Sequence, residues 1–407
     1  MSHQRRDCAE GAAADWRDEL ERLLTEPLEE ARARARNAFD RLAGDAAERI
    51  ILLGAGNLGR KVLRGLREEG IEPLAFSDNA KHLWGQSIDG VLVLSPTDAA
   101  RIHGGNAVFV LAIWRGETDE SMADRIAAFK CLGCLCVVHF GYLFWKYPQR
   151  FLPHYALDLP EQVLAAAGGI RAAFELLADE ASQRAFVGHV DWRLHLDFTR
   201  LPLPDSGPIY FRDELFRLGP DEVFADCGAF DGDTLEQFIA KTQGQFRHVY
   251  CFEADPQSAG RLEQRRERLE SGLGARVSVL PQAVGAHNGT IHLDALGTVS
   301  SAVCAEGGIE IQCVTLDAAL AGAGVSLIKM DVEGYEAAAL AGAAQCIRQN
   351  RPVMAICIYH QQDHLWSLPL LLAELGDGYR FYLRAHVHDG WDLVCYAVPE
   401  DRLRESD

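Results

Sequence analysis

The sequence predicts an α/β protein built from two parallel-sheet domains in tandem. Two series of short apolar runs, each run separated from the next by a helix-compatible segment, indicate two successive βαβ domains. A glycine-rich loop follows the first apolar run of each series, beginning at Gly54 and at Asp226. The length of 407 residues suits two to three domains of roughly 150 residues each. The length therefore excludes a protein that consists of one small domain.

Composition excludes several classes of protein. The chain is 48% hydrophobic and 24% charged, which is typical of a globular protein with a sizeable core. Its formal net charge of −19 argues against nucleic-acid binding, because duplex binding depends on Lys and Arg. No apolar segment is long enough for a membrane span, and the N-terminus lacks the apolar stretch of a secretory signal. A cytoplasmic location is therefore expected, and the 11 scattered cysteines favour reduced thiols.

The change of pattern along the chain predicts four segments. Residues 1–46 predict amphipathic helices, residues 47–150 a Rossmann-like domain, residues 151–209 a helical linker and residues 210–400 the second α/β domain. The strands predicted for the first sheet are Ile50 to Leu53, Leu74 to Phe76, Val91 to Leu94, Val108 to Ala112 and Leu135 to Val138. Those predicted for the second are Glu222 to Ala225, Val249 to Phe252, Val277 to Leu280, Leu327 to Met330, Val353 to Ile358, Tyr379 to Leu383 and Leu393 to Val398.

The first glycine-rich loop has the spacing of a dinucleotide-binding fingerprint. Gly54, Gly56 and Gly59 follow a predicted strand, Asn57 lies where the next helix opens, and Asp78 ends the second strand. Such a loop lets a pyrophosphate approach the backbone and the helix N-terminus. This domain is nevertheless only about 100 residues long, enough for one mononucleotide-binding half, which disfavours NAD.

The ligand of the first domain is left open. The domain is similar to the small Rossmann-like domains attached to sugar-modifying enzymes, some of which bind nucleotide sugars. A nucleotide-bearing ligand and a glycine loop kept only for helix–strand packing are both compatible with the residues. An NAD-dependent oxidoreductase acting through this loop is retained as an alternative function.

The second glycine-rich loop differs from the first because it begins with a carboxylate. Asp226 would repel a pyrophosphate but can accept a hydrogen bond from the ammonium of S-adenosylmethionine, while Gly228 and Gly232 admit the methionine chain. Glu253 ends the next strand, where a carboxylate can bind both ribose hydroxyls. Gln282 follows the third strand, where an adenine ring would be sandwiched. The ends of three neighbouring strands thus carry residues suited to the methionine, ribose and adenine parts of one ligand.

These motifs resemble those of the FkbM family of S-adenosylmethionine-dependent methyltransferases. The strings that carry the resemblance are DCGAFDGDTLEQF, CFEADP, PQAVG and LIKMDVEGYE. The resemblance covers about Tyr210 to Pro399 and implies a class I methyltransferase fold, whose seven-stranded, mostly parallel sheet has its last strand antiparallel. It also implies O-methylation of a sugar, a glycan or a related metabolite. A non-catalytic scaffold with a vestigial methyltransferase fold is the other alternative.

The resemblance implies a set of contacts to S-adenosylmethionine and a second partner. The residues expected to hold the cofactor are Asp226, Gly228, Phe230, Gly232, Asp233, Thr234, Glu253, Ala254, Gln282, Ala283 and Asp331. The methyl acceptor is expected to be a small molecule or glycan with a hydroxyl group. A nucleotide sugar at the N-terminal domain and a homo-oligomer are further expectations.

Acids and a histidine follow the next two strands and are the candidates for catalysis. A sugar hydroxyl is a poor nucleophile, and a general base accelerates its reaction by roughly 10² to 10⁴-fold. His360 is the predicted base, because histidine titrates near the working pH. Asp331 and Glu333 are predicted to face the acceptor, with capping of the following helix as the alternative. Lys329 lies inside an apolar strand and is predicted to pair with a carboxylate near the site.

A divalent metal is a weaker alternative for the same residues. Asp331, Glu333, His360 and Asp363 offer the carboxylate and imidazole ligands that Mg, Mn and Zn accept. Their spacing lacks a strong metal signature, so the sequence predicts no metal.

Overall fold

A computed structural model of the chain describes residues 15–114, 120–294, 302–304 and 308–404. Residues 1–14 of the predicted N-terminal helical segment lie outside the described residues. No helix in the described ranges is long and apolar enough to cross a membrane.

The N-terminal half alternates strands with helices and ends in a helical region. Its elements in chain order are α1 (Trp16–Leu24), α2 (Leu28–Ala43), β1 (Ile50–Leu53), α3 (Asn57–Glu68), β2 (Ala75–Ser77), β3 (Ser87–Ile88), β4 (Val91–Leu94), α4 (Pro96–His103), β5 (Val108–Leu111), α5 (Met122–Cys131), β6 (Cys136–His139), α6 (Phe140–Lys146), α7 (Pro148–Phe151), α8 (Pro160–Ala165), α9 (Ala167–Glu175) and α10 (Glu180–His195).

The six strands form one sheet in the order β3-β4-β2-β1-β5-β6, parallel except for the β3–β4 hairpin. All four residues of β1 are buried, because helices cover both faces of a parallel sheet. The apolar face of α3 buries Val62, Leu63 and Leu66 in the same core. The βαβ pattern predicted for this half is confirmed.

The segment predicted as a helical linker, residues 151–209, contains the three helices α8 to α10. Helix α10 is buried along most of its length. Phe186 and Val190 belong to the core around the second sheet, whereas Trp192 belongs to the core around the first. This helix therefore joins the two halves of the protein.

The C-terminal half contains a second α/β unit with a small insertion. Its elements are β7 (Val223–Cys227), α11 (Asp233–Lys241), β8 (His248–Phe252), α12 (Pro256–Arg268), α13 (Ser271–Gly274), β9 (Val277–Leu280), β10 (Ala283–Val284), β11 (Gly289–Asp294), β12 (Ala302–Cys304), β13 (Ile309–Val314), α14 (Leu316–Ala319), β14 (Leu327–Met330), α15 (Glu336–Ala341), α16 (Ala344–Asn350), β15 (Val353–Cys357), α17 (His364–Leu375), β16 (Tyr379–Ala385) and β17 (Leu393–Pro399).

The second large sheet has seven strands in the order β16-β17-β15-β14-β7-β8-β9. Strand β17 runs antiparallel to both of its neighbours, and the other pairings in the sheet are parallel. The expected seven-stranded, mostly parallel sheet with an antiparallel last strand is confirmed. The carboxyl ends of β7, β8, β9, β14 and β15 consequently lie along one edge, where ligands bind in open α/β sheets.

A four-stranded sheet, β10-β13-β11-β12, was not among the predicted elements. It is inserted between β9 and β14 along the chain. Strand β13 alternates exposed and buried residues, since one of its faces meets solvent. Its first strand, β10, brings Ala283 and Val284 to the edge of the large sheet.

The two halves meet at a polar and aromatic contact. Both carboxylate oxygens of Asp389 accept hydrogen bonds from the backbone N–H of Met122, at 3.0 and 2.8 Å. The Trp114 and Trp391 rings lie 5.0 Å apart, and the Trp114 indole donates to the Asp389 carbonyl. The loop before β17 is thereby fixed against the N-terminal half.

Candidate active site

A cavity of about 250 Å³ lies at the carboxyl edge of the seven-stranded sheet. Most of the residues predicted from the sequence line it. Those are Gly228, Phe230, Asp233, Thr234, Glu253, Ala254, Gln282, Ala283, Lys329, Asp331 and Glu333. Three predicted residues, Asp226, Gly232 and His360, are buried and do not line the cavity.

The loop between β7 and α11 needs glycine at two positions. Gly228 has φ +77°, and a Cβ there would lie 1.9 Å from the carbonyl oxygen of Asp331. Gly232 has φ +91° immediately before α11, where a Cβ would meet Leu262 at 2.7 Å. The close approach of Gly228 to Asp331 brings the glycine loop next to the end of β14.

Glu253 connects this loop to the end of β8. Its Oε2 accepts a hydrogen bond from the Phe230 N–H at 2.7 Å, and its Oε1 accepts one from the Asp255 N–H at 2.7 Å. Burial raises the pKa of Glu253, while these two N–H donors oppose the rise. The carboxylate is thus held in one orientation at the cavity wall.

Asp226 is paired with Lys329 instead of facing the cavity. The sequence predicts that the strand ends at Ala225, but β7 continues to Cys227, so Asp226 lies within the sheet and is fully buried. Lys329 Nζ lies 3.1 Å from Asp226 Oδ1 and also donates to the Gly228 carbonyl. The predicted pairing of Lys329 with a carboxylate is confirmed. A direct contact of Asp226 with a ligand ammonium has no support in this arrangement.

Lys329 keeps its positive charge although it is buried, because Asp226 is its ion-pair partner. Burial alone would lower the pKa of Lys329, but the carboxylate of Asp226 raises it above its ordinary value. The side chain is therefore cationic, and part of it reaches the cavity wall.

Asp331 lines the cavity immediately after β14. The Tyr210 hydroxyl donates to its Oδ2 at 3.1 Å, and the Tyr359 hydroxyl donates to its Oδ1 at 3.3 Å. Burial raises the pKa of both phenols well above 10, so both remain hydrogen-bond donors. The two donors fix the orientation of the Asp331 carboxylate.

His360 lies between three carboxylates. Its Nδ1 is 2.8 Å from Glu336 Oε1, and its Nε2 is 3.3 Å from Asp331 Oδ1 and 3.7 Å from Glu333 Oε2. Burial alone would lower the pKa of His360, but these acids, Glu336 first, raise it to about 9. A protonated imidazole cannot accept a proton, so the role of general base predicted for His360 does not suit this arrangement.

Glu336 is the acid of the DVEGYE string to which the sequence assigned no role. It is fully buried and accepts hydrogen bonds from the backbone N–H groups of Val332 at 3.0 Å and Gly334 at 3.3 Å. Burial would raise the pKa of Glu336, but His360 and these contacts lower it to about 2.

Helix α15 begins without a side-chain cap, so the alternative that Asp331 and Glu333 cap the following helix is wrong.

Comparison with known proteins identifies the domain that contains this cavity. Residues 226–387 match the family model of the methyltransferase FkbM domain. The C-terminal domain is an FkbM methyltransferase domain. Every motif string that carried the resemblance begins within this range.

The fold of the whole chain is also similar to a solved structure. The crystal structure of Methyltransferase FkbM from Methylobacillus flagellatus KT has a TM-score of 0.74 with this chain at 21% sequence identity. The match covers 94% of this chain and 98% of that chain, so both α/β halves take part in it. No curated protein matches the chain.

Several residues of the FkbM domain cavity were missed by sequence reasoning. Tyr210 reaches the cavity from the segment before β7, and Asp392 reaches it from the turn before β17. Neither belongs to a motif, because only the tertiary fold brings them to this edge. Tyr359 was within reach of prediction, since it precedes His360 at the end of β15.

The first glycine-rich loop lies outside the FkbM domain cavity. A Cβ on Gly59 would lie 2.0 Å from the Gly54 carbonyl oxygen, so Gly59 permits close packing of α3 on the loop. Asp78 accepts hydrogen bonds from the N–H groups of Ala55 and Ala80, both at 2.8 Å. Asn57 begins α3, and Gly56 has free space around it. The packing interpretation accounts for Gly59 and Asp78, and ligand binding at this loop stays a prediction.

Proposed function

We propose that the protein transfers a methyl group from S-adenosylmethionine to a hydroxyl of a sugar, a glycan or a related metabolite. One observation carries the proposal: a single cavity joins a glycine loop and the Glu253 carboxylate to the acidic end formed by Asp331 and Glu333. A donor and an acceptor bound in that cavity would be neighbours. The match of this domain to the FkbM methyltransferases supports this assignment.

The residues at the donor end suit S-adenosylmethionine. Glu253 already accepts two backbone hydrogen bonds, but a carboxylate has about four lone-pair positions, which leaves capacity for ribose hydroxyls. Gln282 and Ala283 line the wall at the third strand end, where the adenine would lie. Asp226 does not line the cavity, but Asp233, the first residue of α11, does. The carboxylate of Asp233 is therefore the one assigned to the ligand ammonium.

The acceptor end has the polar groups that a sugar hydroxyl requires. When bound, the sulfonium of S-adenosylmethionine supplies an electrophilic methyl group. Productive transfer requires the acceptor oxygen to lie about 3 to 3.5 Å from that carbon. Asp331 and Glu333 would orient the acceptor hydroxyl, and one of these carboxylates would accept its proton as the methyl group is transferred to oxygen. Tyr210 and Tyr359 hold Asp331 in place for this role.

Radiolabelled methyl transfer tests this proposal. The protein is incubated with S-adenosylmethionine labelled in the methyl group and with a panel of sugars, nucleotide sugars and glycans, and the products are identified by mass. We expect label on a hydroxyl oxygen of one acceptor class, and loss of transfer in Asp331→Asn. Label found on nitrogen or carbon would contradict O-methylation. Binding of the cofactor without transfer to any acceptor would support the scaffold alternative.

A further inference from the structure

The cavity at the edge of the seven-stranded sheet is lined by more acids than bases. Lys329 is the single basic side chain among the described residues that line it. The carboxylates on the same wall are Asp233, Glu253, Asp255, Asp331, Glu333 and Asp392. A cleft lined by charges of one sign concentrates ligands of the opposite sign and repels those of the same sign. The wall therefore favours ligands without negative charge.

The two cations closest to these carboxylates already face buried acids. Lys329 Nζ lies 3.1 Å from Oδ1 of the fully buried Asp226. His360 faces three carboxylates, and its shortest contact is 2.8 Å to the fully buried Glu336. One imidazolium among three carboxylates leaves that cluster negative. The charge of the wall acids is therefore only partly offset by the described part of the chain.

The acids at the acceptor end come from separate segments and take unusual backbone conformations. Asp331 and Glu333 follow β14, whereas Asp392 lies just before β17. Burial, and then neighbouring acids that include Asp331 and Asp392, raise the pKa of Tyr359 well above 10, which places both acids near this phenol. Glu333 has φ +53° and Asp392 has φ +48°, which is uncommon for residues other than glycine. Such conformations concentrate at functional sites, so these carboxylates indicate a ligand.

Asp255 shows which hydrogen-bonding groups the ligand must bring. The residue is 2% exposed, and its Oδ1 accepts from the Ser258 N–H at 2.8 Å. Its Oδ2 is buried without a hydrogen-bond partner in the described part of the chain, although Asp255 lines the cavity. A buried polar atom normally has a partner, and an ionised carboxylate can only accept. A ligand hydroxyl or amine can supply that partner, whereas an anionic oxygen cannot.

We propose that the methyl acceptor is a neutral or ammonium-bearing sugar, and that the cavity excludes uronic acids and phosphorylated sugars. S-adenosylmethionine brings an ammonium and a sulfonium against one carboxylate, so its single net positive charge does not offset the six wall acids. An anionic acceptor would therefore still meet a negative wall. This inference rests on the proposed function and names the acceptor class of that same cavity.

The negative wall also suits the proton balance of the transfer. The acceptor oxygen forms a bond to the methyl carbon as the carbon–sulfur bond breaks, and the bonding pair stays on sulfur as a neutral thioether results. The hydroxyl proton passes to Asp331 or Glu333. Neighbouring carboxylates favour protonation of one of them, because this reduces their mutual repulsion.

Thiol reagents of opposite charge test the charge of the cavity without reference to activity. Val332→Cys places a thiol on the cavity wall between Asp331 and Glu333. The full-length variant is treated with a cationic and with an anionic alkyl methanethiosulfonate, and labelling is followed by peptide mass. Cys131, an exposed native thiol, is the reference in the same molecule. We expect the ratio of cationic to anionic labelling rates to be roughly tenfold higher at position 332 than at Cys131.

Two further variants show whether the wall acids cause this ratio. Asp392→Asn in the Val332→Cys background should lower it about threefold, since one carboxylate is lost and asparagine also tolerates the left-handed backbone. Glu267→Gln, at an exposed acid of α12 that does not line the cavity, is the matched control and should not change it. Gln237→Cys, on the cavity wall in α11, repeats the measurement if Val332→Cys does not fold. Equal ratios at the cavity thiol and at Cys131 would overturn the inference.

Matched acceptors separate this inference from the proposed function. Each sugar that takes up label in the methyl-transfer assay is presented again as its amino, uronic acid and phosphate derivatives. We expect transfer to the neutral and amino forms, and about tenfold slower transfer to the anionic forms. Equal or faster transfer to an anionic form would overturn the inference and leave the methyltransferase assignment intact. Cation-selective labelling without transfer to any acceptor would support the charge assignment and contradict the proposed function.

Discussion

Lys329 Nζ lies 3.1 Å from Oδ1 of Asp226 at the centre of the seven-stranded sheet. The two residues are register partners on the neighbouring strands β14 and β7. Because Lys329 also donates to the Gly228 carbonyl, the same ammonium holds the glycine loop. One buried ion pair therefore fixes both strands and the loop that begins the candidate cofactor site.

Removal of Lys329 alone should destabilise the protein strongly. In Lys329→Met the carboxylate of Asp226 is left in the sheet without its counter-charge, and breaking a buried pair in this way costs about 3–5 kcal/mol. Urea denaturation should show a free energy of unfolding lower by that amount. The double variant Asp226→Asn, Lys329→Met should regain part of it. Equal stability of the single variant and the parent would show that the pair does not hold the sheet.

The first glycine-rich loop should tolerate alanine at one glycine and not at another. Gly59→Ala places a Cβ 2.0 Å from the Gly54 carbonyl oxygen, and such overpacking costs about 1–3 kcal/mol. Gly56 has no atom within 4 Å of a Cβ, so Gly56→Ala should change stability by less than about 0.5 kcal/mol. Chemical denaturation of both variants tests the packing interpretation, which fails if the two variants are equally stable.

His139 should make the N-terminal half sensitive to acid. Its Nδ1 accepts from the Gly141 N–H at 3.2 Å, and its Nε2 lies 3.1 Å from the Leu196 carbonyl oxygen, contacts that suit the neutral ring. Burial lowers the pKa of His139 to about 3, so below its ordinary pKa of about 6.5 the unfolded chain binds a proton that the folded chain does not.

The stability due to neutral His139 is therefore complete above pH 6.5 and is lost progressively as the pH falls toward 3. Between pH 7 and pH 5 the loss amounts to about 2 kcal/mol. His139→Asn retains a capping acceptor without this titration, so its free energy of unfolding should decrease by about 2 kcal/mol less over the same interval. Parallel pH dependence of the variant and the parent would show that His139 is not neutral in the fold.

The sequence predicted the two large sheets well because their strands are apolar runs buried on both faces. The small sheet was missed for two reasons. Strand β10 has two residues and β12 has three, and the longer strands β11 and β13 alternate polar with apolar residues instead of forming apolar runs. The position of the candidate site at one edge of the second sheet was predicted from the rule that ligands bind at the carboxyl ends of parallel strands. Glu253 and Asp331 were assigned to the site in this way and line the cavity.

The side chains around those residues could not be assigned from spacing alone. Asp226 was expected beyond the strand end, but β7 is two residues longer at its carboxyl end than predicted and buries it. Tyr210 is brought to Asp331 by a contact across 121 positions of the chain, for which no local pattern exists. The contacts of His360 with three acids follow from the turn between β14 and α15, which reverses the chain at Glu333 and Gly334.

Calorimetric titration with S-adenosylhomocysteine tests the central claim most directly. The parent protein should bind one equivalent. Glu253→Gln should weaken binding at least tenfold, about 1.4 kcal/mol, because an amide accepts at only one of its two terminal atoms. Glu263→Gln, a change at an exposed end of the Arg266 ion pair on α12, is the control and should bind normally. No binding to the folded protein, or equal affinity in Glu253→Gln, would contradict the assignment of this cavity to the cofactor.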